Sequence, residues 1–238
     1  PWFYRFAGSF LKWLLPIAIA ALIVGAFWGL LVAPPDFRQG NSYRIIFMHV
    51  PAAVVALAGY YVMAFAGLMS LVWKIKMADT AMRAVAPVGA ALTFIALVTG
   101  AIWGKPTWGT WWVWDARITS MLILLFLYLG VIALFEAYEN KAAAAKACAV
   151  LSLVGTVNIP IIYKSVDWWY SLPQPASIKF SGESAIDSSM LYPLLLNIAA
   201  FYLTFACAVV FNMRTELIDS YRRSAWLQTE LKQELAKG

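Results

Sequence analysis

Tryptophan is concentrated in one short segment of the chain, WGKPTWGTWWVWDAR, which runs from Trp103 to Arg117. Five of the chain's 12 tryptophans lie in this segment, namely Trp103, Trp108, Trp111, Trp112 and Trp114. Gly104, Pro106 and Gly109 lie between them and favour an irregular backbone. Such a segment offers a broad apolar surface with indole N–H donors at its edges, which suits a large planar aromatic ligand.

Charged residues border this tryptophan segment. Lys105 and Arg117 could pair with a carboxylate of a ligand. Asp115 belongs either to the binding surface or to the N-cap of a helix that begins near Ile118. An aromatic belt at a membrane interface is the alternative explanation for the tryptophans, but a belt needs only about one or two per helix end. Their density favours a binding surface.

The chain has one histidine, His49, in the segment NSYRIIFMHVP. Imidazole is a common axial ligand of haem iron, and Arg44, earlier in the same segment, suits a haem propionate. A lone histidine near a membrane interface is more often structural, but polar residues at membrane depth tend to be functional. His49 is therefore the candidate metal ligand. The chain has no HExxH motif and no phosphate-binding loop, so the sequence predicts no catalytic nucleophile or ATPase centre.

The elements that carry these residues are predicted to be membrane helices. The chain is 63% hydrophobic and 13% charged, whereas soluble domains carry about 25% charged residues. Six apolar runs are long enough to span a bilayer. They are predicted to be helices, because a helix pairs all of its own backbone N–H and C=O groups and lipid offers them no other partner. The runs are Leu14–Ala33, Ile45–Trp73, Ala84–Gly104, Ile118–Phe135, Ala147–Tyr163 and Ser188–Met213. The predicted fold is an all-α bundle of six transmembrane helices in a lipid bilayer, and the scattered basic residues argue against nucleic-acid binding.

The distribution of basic residues predicts the orientation. Lys and Arg are about twice as frequent on the side of the termini as in the loops 34–44, 105–117 and 164–187. Both termini are therefore expected in the cytoplasm and these loops on the outer face. The predicted organisation is a membrane domain over residues 1–214 and a cytoplasmic amphipathic tail over 215–238, where leucines recur near helical spacing. The tail would lie on the membrane surface or against a partner, or remain solvated.

Four segments together resemble one family: WGTWWVWDAR, NSYRIIFMHVPAA, WGKP and IDSSMLYPLL. They closely resemble the cytochrome c maturation protein C (haem exporter protein C) family, haem-handling membrane proteins with a tryptophan-rich WWD loop. The resemblance runs roughly from Leu14 to Met213. It implies a protein of the bacterial inner membrane that presents haem b at the periplasmic face and transfers it to a periplasmic haem chaperone. It also implies a small single-span membrane partner and an ABC transporter ATPase with its membrane subunit.

The resemblance implies roles for particular residues. His49 would be an axial ligand of the haem iron, and Arg44 and Arg117 match basic positions near the site. The matching loop positions are Trp103, Trp108, Trp112, Trp114 and Asp115, and Trp111 lies among them. The protein would act as a haem-handling, haem-lyase-like factor, with the reactive chemistry belonging to the haem.

One position departs from the family pattern. Family members carry a second axial histidine in the third outer loop, where this chain has Pro173. Proline has no ligand atom, and it stiffens the loop. Three explanations stay open: an engineered change that impairs haem binding, a natural variant with a single histidine, or substitution by another side chain such as Met48, Tyr170 or Met190.

Two other functions compete with haem transfer. In the first, the aromatic loops dock a periplasmic partner directly, as a scaffold without haem. In the second, the bundle is a transport subunit for a lipid-like or quinone-like ligand. A haem absorption band that depends on His49 separates haem transfer from both.

Overall fold

The computed structural model describes residues 2–168 and 187–235, and within them the chain is helical without strands. The helices are α1 (Trp2–Phe27), α2 (Ile46–Trp73), α3 (Lys76–Trp108), α4 (Ala116–Ala137), α5 (Lys141–Gly155), α6 (Asn158–Trp168), α7 (Ser188–Tyr221) and α8 (Ala225–Leu235). A π-helical turn (Trp28–Val32) extends α1, and a 3-10 turn (Asn41–Ile45) precedes α2. Pro173 and Tyr170 lie outside the described residues. The outer location of the third loop and the effect of Pro173 on haem binding therefore stay predictions.

Within the described ranges, six helical segments are long and apolar enough to cross a membrane, which confirms the predicted all-α fold. The fifth is built from two helices, because a turn at Thr156–Val157 separates α5 from α6. It begins at Lys141, ahead of the predicted apolar run, which starts at Ala147. Several helices begin earlier than the apolar runs: α1 starts at Trp2 and α3 at Lys76. The reason is that a helix can continue beyond the apolar layer, where its polar side chains are solvated.

The bundle is organised around α2, which packs against α3, α5 and α7, while α1 packs chiefly against α7. Small residues let the helices approach closely, as is usual in membrane bundles. Tyr60 and Tyr128 are fully buried at the centre, with their rings 5.1 Å apart and nearly perpendicular. The hydroxyl of Tyr128 donates to the carbonyl of Ala56 at 2.7 Å, which ties α4 to α2.

We expect Gly89→Ala to destabilise the bundle. A Cβ at Gly89 would lie 2.1 Å from Cζ of Tyr128, and that ring is fully buried and held through its hydroxyl. Overpacking of this kind typically costs about 1–3 kcal/mol. Thermal unfolding of the purified protein in detergent should show a lower midpoint. Gly130→Ala is the matched control, since its Cβ would meet only the flexible tip of Leu151, at 3.1 Å. Equal midpoints for both variants would contradict this account.

At the end of the bundle that holds the termini, the C-terminal segment folds back on α1. Residues 215–221 continue α7, and α8 follows after a short turn. Leu227 is fully buried, and Glu230 forms an ion pair with Arg5 of α1. The ring of Trp226 packs edge-on against Tyr4 at 6.2 Å. The amphipathic segment therefore packs within its own chain.

Candidate functional site

The candidate site lies at the opposite end of the bundle, where the α1–α2 and α3–α4 connections meet. The tryptophan segment was predicted as a loop from Trp103 onward, but α3 continues through Trp108. Pro106 removes only one helical hydrogen bond so close to the helix end. Gly109 then ends the helix with φ of 79°, a conformation that glycine adopts without strain. Residues 110–115 have no regular structure and lead into α4.

Trp103 is the buried centre of this end of the bundle, with 8% of its surface exposed. Its indole N–H donates to the side-chain oxygen of Gln39 at 2.7 Å, which connects α3 to the α1–α2 connection. Its ring contacts Tyr43 and His49 edge-on, at centroid distances of 5.6 and 5.8 Å. The structure thus brings the first tryptophan of the segment and the single histidine into direct contact.

His49 is oriented by α3. Its Nδ1 lies 2.9 Å from the carbonyl oxygen of Ala96 and 3.2 Å from the hydroxyl of Thr99. A carbonyl oxygen only accepts, so Nδ1 carries the proton and Nε2 keeps its lone pair. Among the described residues, Nε2 makes no hydrogen bond. Gly100 provides the space, because a Cβ there would lie 3.0 Å from Cε1 of the imidazole. This is the arrangement in which a histidine binds a metal through Nε2.

The remaining tryptophans form an aromatic surface beside this core. The indole nitrogens of Trp108 and Trp112 are buried and have no hydrogen-bond partner in the described part of the chain. Trp112 contacts Trp114 edge-on at 5.4 Å. Trp111 and Trp114 are 57% and 75% exposed, which is high for this side chain. The surface therefore offers exposed rings and two donors without acceptors. Buried donors of this kind are rare unless a ligand or water completes them.

The predicted charged residues occupy different places. Asp115 is the N-cap of α4 and accepts the backbone N–H of Ile118 at 2.8 Å, which agrees with the helix-capping interpretation. Arg117 lies in the first turn of α4, two residues after Asp115. Arg44 donates to the carbonyl oxygens of Leu30 and Ala33 at 3.2 and 2.6 Å. These bonds hold the end of the first span against the 3-10 turn that precedes α2.

The structure also places two of the side chains considered as substitute ligands. Met190 is buried in a small apolar cluster with Trp103, Phe47 and Leu194. Met48 packs against the main core of the bundle. In the described residues there is no group of three or more His, Cys, Asp or Glu side chains that could hold a metal ion. The site is thus a single imidazole beside an aromatic surface, a donor set that fits an iron already held in a planar macrocycle.

Sequence reasoning missed Gln39, Tyr43 and Thr99. Each lies close to a predicted site residue in space but far from it along the chain. Polarity within a membrane span was the only available signal for Thr99, and Gln39 had none.

Comparisons with known proteins find similar chains. The family model described as Heme exporter protein C matches residues 1–228. A Heme exporter protein C of Escherichia coli K12 is 48% identical over 227 residues, covering 95% of this chain and 91% of that protein. The protein of the same name from Haemophilus influenzae is 45% identical, covering 94% of this chain and 92% of its own length. That of Bradyrhizobium diazoefficiens is 46% identical, with 93% and 84% covered.

Proposed function

Since the chain belongs to the Heme exporter protein C family, we propose that it binds haem at the tryptophan-rich end of the bundle and transfers it to a periplasmic haem chaperone. Haem is the cargo in this proposal, and the protein supplies a ligand and a surface for it. The chain's part in cytochrome c maturation is therefore the holding and release of haem.

The observation that carries this proposal is the state of His49. The bond from Nδ1 to the Ala96 carbonyl fixes the tautomer whose Nε2 can bind iron. The rigid helix α3 provides that acceptor, so the imidazole is oriented before haem arrives. Preorganisation of this kind reduces the cost of binding.

The aromatic surface supports the second part of the proposal. The porphyrin is planar and apolar over most of its area, and indole rings stack on such surfaces. The buried N–H groups of Trp108 and Trp112, which have no acceptor in the described part of the chain, would donate to polar edges of the ligand. Arg117, at the start of α4 beside the tryptophan segment, would pair with a propionate. The high exposure of Trp111 and Trp114 leaves one side of the site open to the chaperone.

The proposal includes an orientation and partners. Lys and Arg are more frequent on the side of the termini, which favours a cytoplasmic location for that side and a periplasmic one for the site. The protein would then lie in the bacterial inner membrane. It would act with a haem chaperone, a small single-span membrane protein and an ABC transporter, since the chain has no phosphate-binding loop of its own.

The test is an absorption spectrum of the protein purified from haem-replete cells, followed by a transfer assay. We expect a Soret band and a stoichiometric haem content, and we expect loss of that band from the membrane protein when an apo haem chaperone is added. Absence of a Soret band would overturn the proposal and favour a scaffold that docks its partner without haem. A band that stays with the membrane protein would overturn the transfer step.

Replacing Trp108 and Trp112 together with phenylalanine should weaken haem retention. The change keeps the aromatic faces but removes the two indole donors. Each hydrogen bond contributes about 0.5–1.5 kcal/mol, so haem should be lost to an acceptor such as apomyoglobin a few-fold to about a hundredfold faster. Trp73→Phe is the control, because Trp73 ends α2 about 36 Å from His49 along the helix axis. Unchanged retention in the double variant would mean that these donors do not reach the ligand.

A further inference from the structure

A short turn before α2 fixes one glutamine in place. The carboxylate of Asp36 accepts the backbone N–H groups of Arg38 and Gln39, at 2.8 and 2.7 Å. Asp36 and Gly40 also exchange a pair of backbone hydrogen bonds. The carbonyl of Gln39 accepts from the hydroxyl of Ser42 at 2.6 Å. The backbone N–H and C=O of Gln39 are therefore both hydrogen-bonded, so the backbone that carries its side chain is held in place.

From this turn, the side chain of Gln39 reaches the tryptophan that contacts His49. Its oxygen accepts the indole N–H of Trp103 at 2.7 Å. Trp103 is almost completely buried and lies edge-on to the imidazole at 5.8 Å. A buried indole N–H is rarely left without an acceptor, and Gln39 is the acceptor that the described residues supply to Trp103. Without it, the ring is expected to turn toward another acceptor.

The position of Trp103 matters because the contacts from Ala96 and Thr99 hold the imidazole only at Nδ1. The face and the Nε2 side of the ring receive no hydrogen bond from α3 among the described residues. Gly100 leaves room on the α3 side of the ring, because a Cβ there would lie 3.0 Å from Cε1. Trp103 contacts the imidazole separately from the contacts at Nδ1. The direction of Nε2 therefore depends on where the indole is held.

From these contacts we infer that Gln39 is a positioning residue for the iron ligand, acting through Trp103. The inference rests on the proposed haem function, and it makes the α1–α2 connection part of the haem site although it provides no ligand atom. Partners that orient a metal-binding histidine commonly change metal affinity by about 10–100-fold when they are replaced. The structure assigns this role to a residue that lies 64 positions from Trp103 in the sequence.

The first measurement is haem affinity in three variants of the full chain. Gln39→Leu removes the acceptor and should weaken haem binding by about 10-fold or more. Gln39→Glu keeps an oxygen acceptor for the indole and should bind haem nearly as tightly as the original protein. Phe37→Ala is the matched control in the same turn, because the Phe37 side chain is fully exposed. A loss of affinity in Gln39→Glu equal to that in Gln39→Leu would overturn the inference.

The second measurement needs no haem. Because the chain has one histidine, selective isotope labelling of histidine gives a single imidazole signal in NMR, provided that the purification tag lacks histidine. Gln39→Leu should shift or broaden the Cε1 and Cδ2 resonances, whose shifts depend on the nearby indole ring. Gln39→Glu and Phe37→Ala should leave them in place. A residue that only stabilises its own turn would not move these resonances.

A double-mutant cycle with Trp103→Phe tests the route of the effect. Phenylalanine keeps an aromatic ring beside His49 but has no N–H, so Gln39→Leu should have little further effect in that background. Additive effects would overturn the inference. The inference would also be overturned if Gln39→Leu changed neither the NMR signal nor the haem affinity while His49→Ala still abolished the Soret band. If the original protein had no Soret band dependent on His49, the proposed function would fail instead. The two failures are distinguishable, because the spectra of the original protein and of His49→Ala involve no change at Gln39.

Discussion

His49→Ala is expected to abolish the Soret band of the purified protein and to stop haem delivery to c-type cytochromes. The chain has no other histidine, so no second imidazole of the same protein can take over the iron. The substitution also removes the preformed Nε2 ligand that the Ala96 carbonyl orients. The spectrum of the purified protein and the yield of a c-type cytochrome in cells that lack the native factor measure the two effects.

Added imidazole separates ligation from a structural role. His49→Ala leaves a space beside Gly100 and Trp103, and free imidazole has the shape to enter it. We expect millimolar imidazole to restore part of the Soret band in this variant. Thermal unfolding checks that the bundle is intact. A variant that unfolds near the original midpoint and keeps its full haem content would show that iron is held elsewhere.

Pro173→His is expected to convert the haem spectrum to a low-spin, six-coordinate form and to slow haem loss. The proline side chain has no ligand atom. A histidine at this position would restore the second axial ligand that the resemblance to the family implies. A second iron–nitrogen bond that contributes only about 1.4 kcal/mol would already slow the loss of haem about tenfold. Absorption spectra and the rate of haem transfer to apomyoglobin measure the two changes.

The third loop offers its own control for this experiment. Pro175 lies two positions further along, so Pro175→His adds the same imidazole and removes a proline at a neighbouring site. This variant should keep the original spectrum. Combining Pro173→His with His49→Ala should return the haem to a single protein ligand. If Pro173→His leaves the spectrum unchanged, position 173 does not face the iron.

Some features of the molecule follow from the sequence alone. A run of about 20 apolar residues in lipid must satisfy its own backbone hydrogen bonds, and only a helix does so locally. The six spans were therefore predictable, including the fifth, which the structure divides between α5 and α6. The candidate residues His49 and the five tryptophans were also predictable, because their chemistry is evident from residue type.

The helix boundaries were less predictable. Pro106 and the neighbouring glycines suggested a loop from Trp103 onward, yet α3 continues to Trp108. The loss of one hydrogen bond near a helix end is small compared with the packing of the helix against its neighbours. As a result, Trp103 projects from a rigid helix into the site.

What the sequence determined is the set of membrane helices and the residue types at one end of them. Only the tertiary structure decided which of these residues act together. The tautomer of His49 depends on a carbonyl 47 positions away, and the orientation of Trp103 depends on Gln39, 64 positions away. Contacts across such separations depend on how the helices pack and how the connections fold over them, and no local pattern encodes that packing.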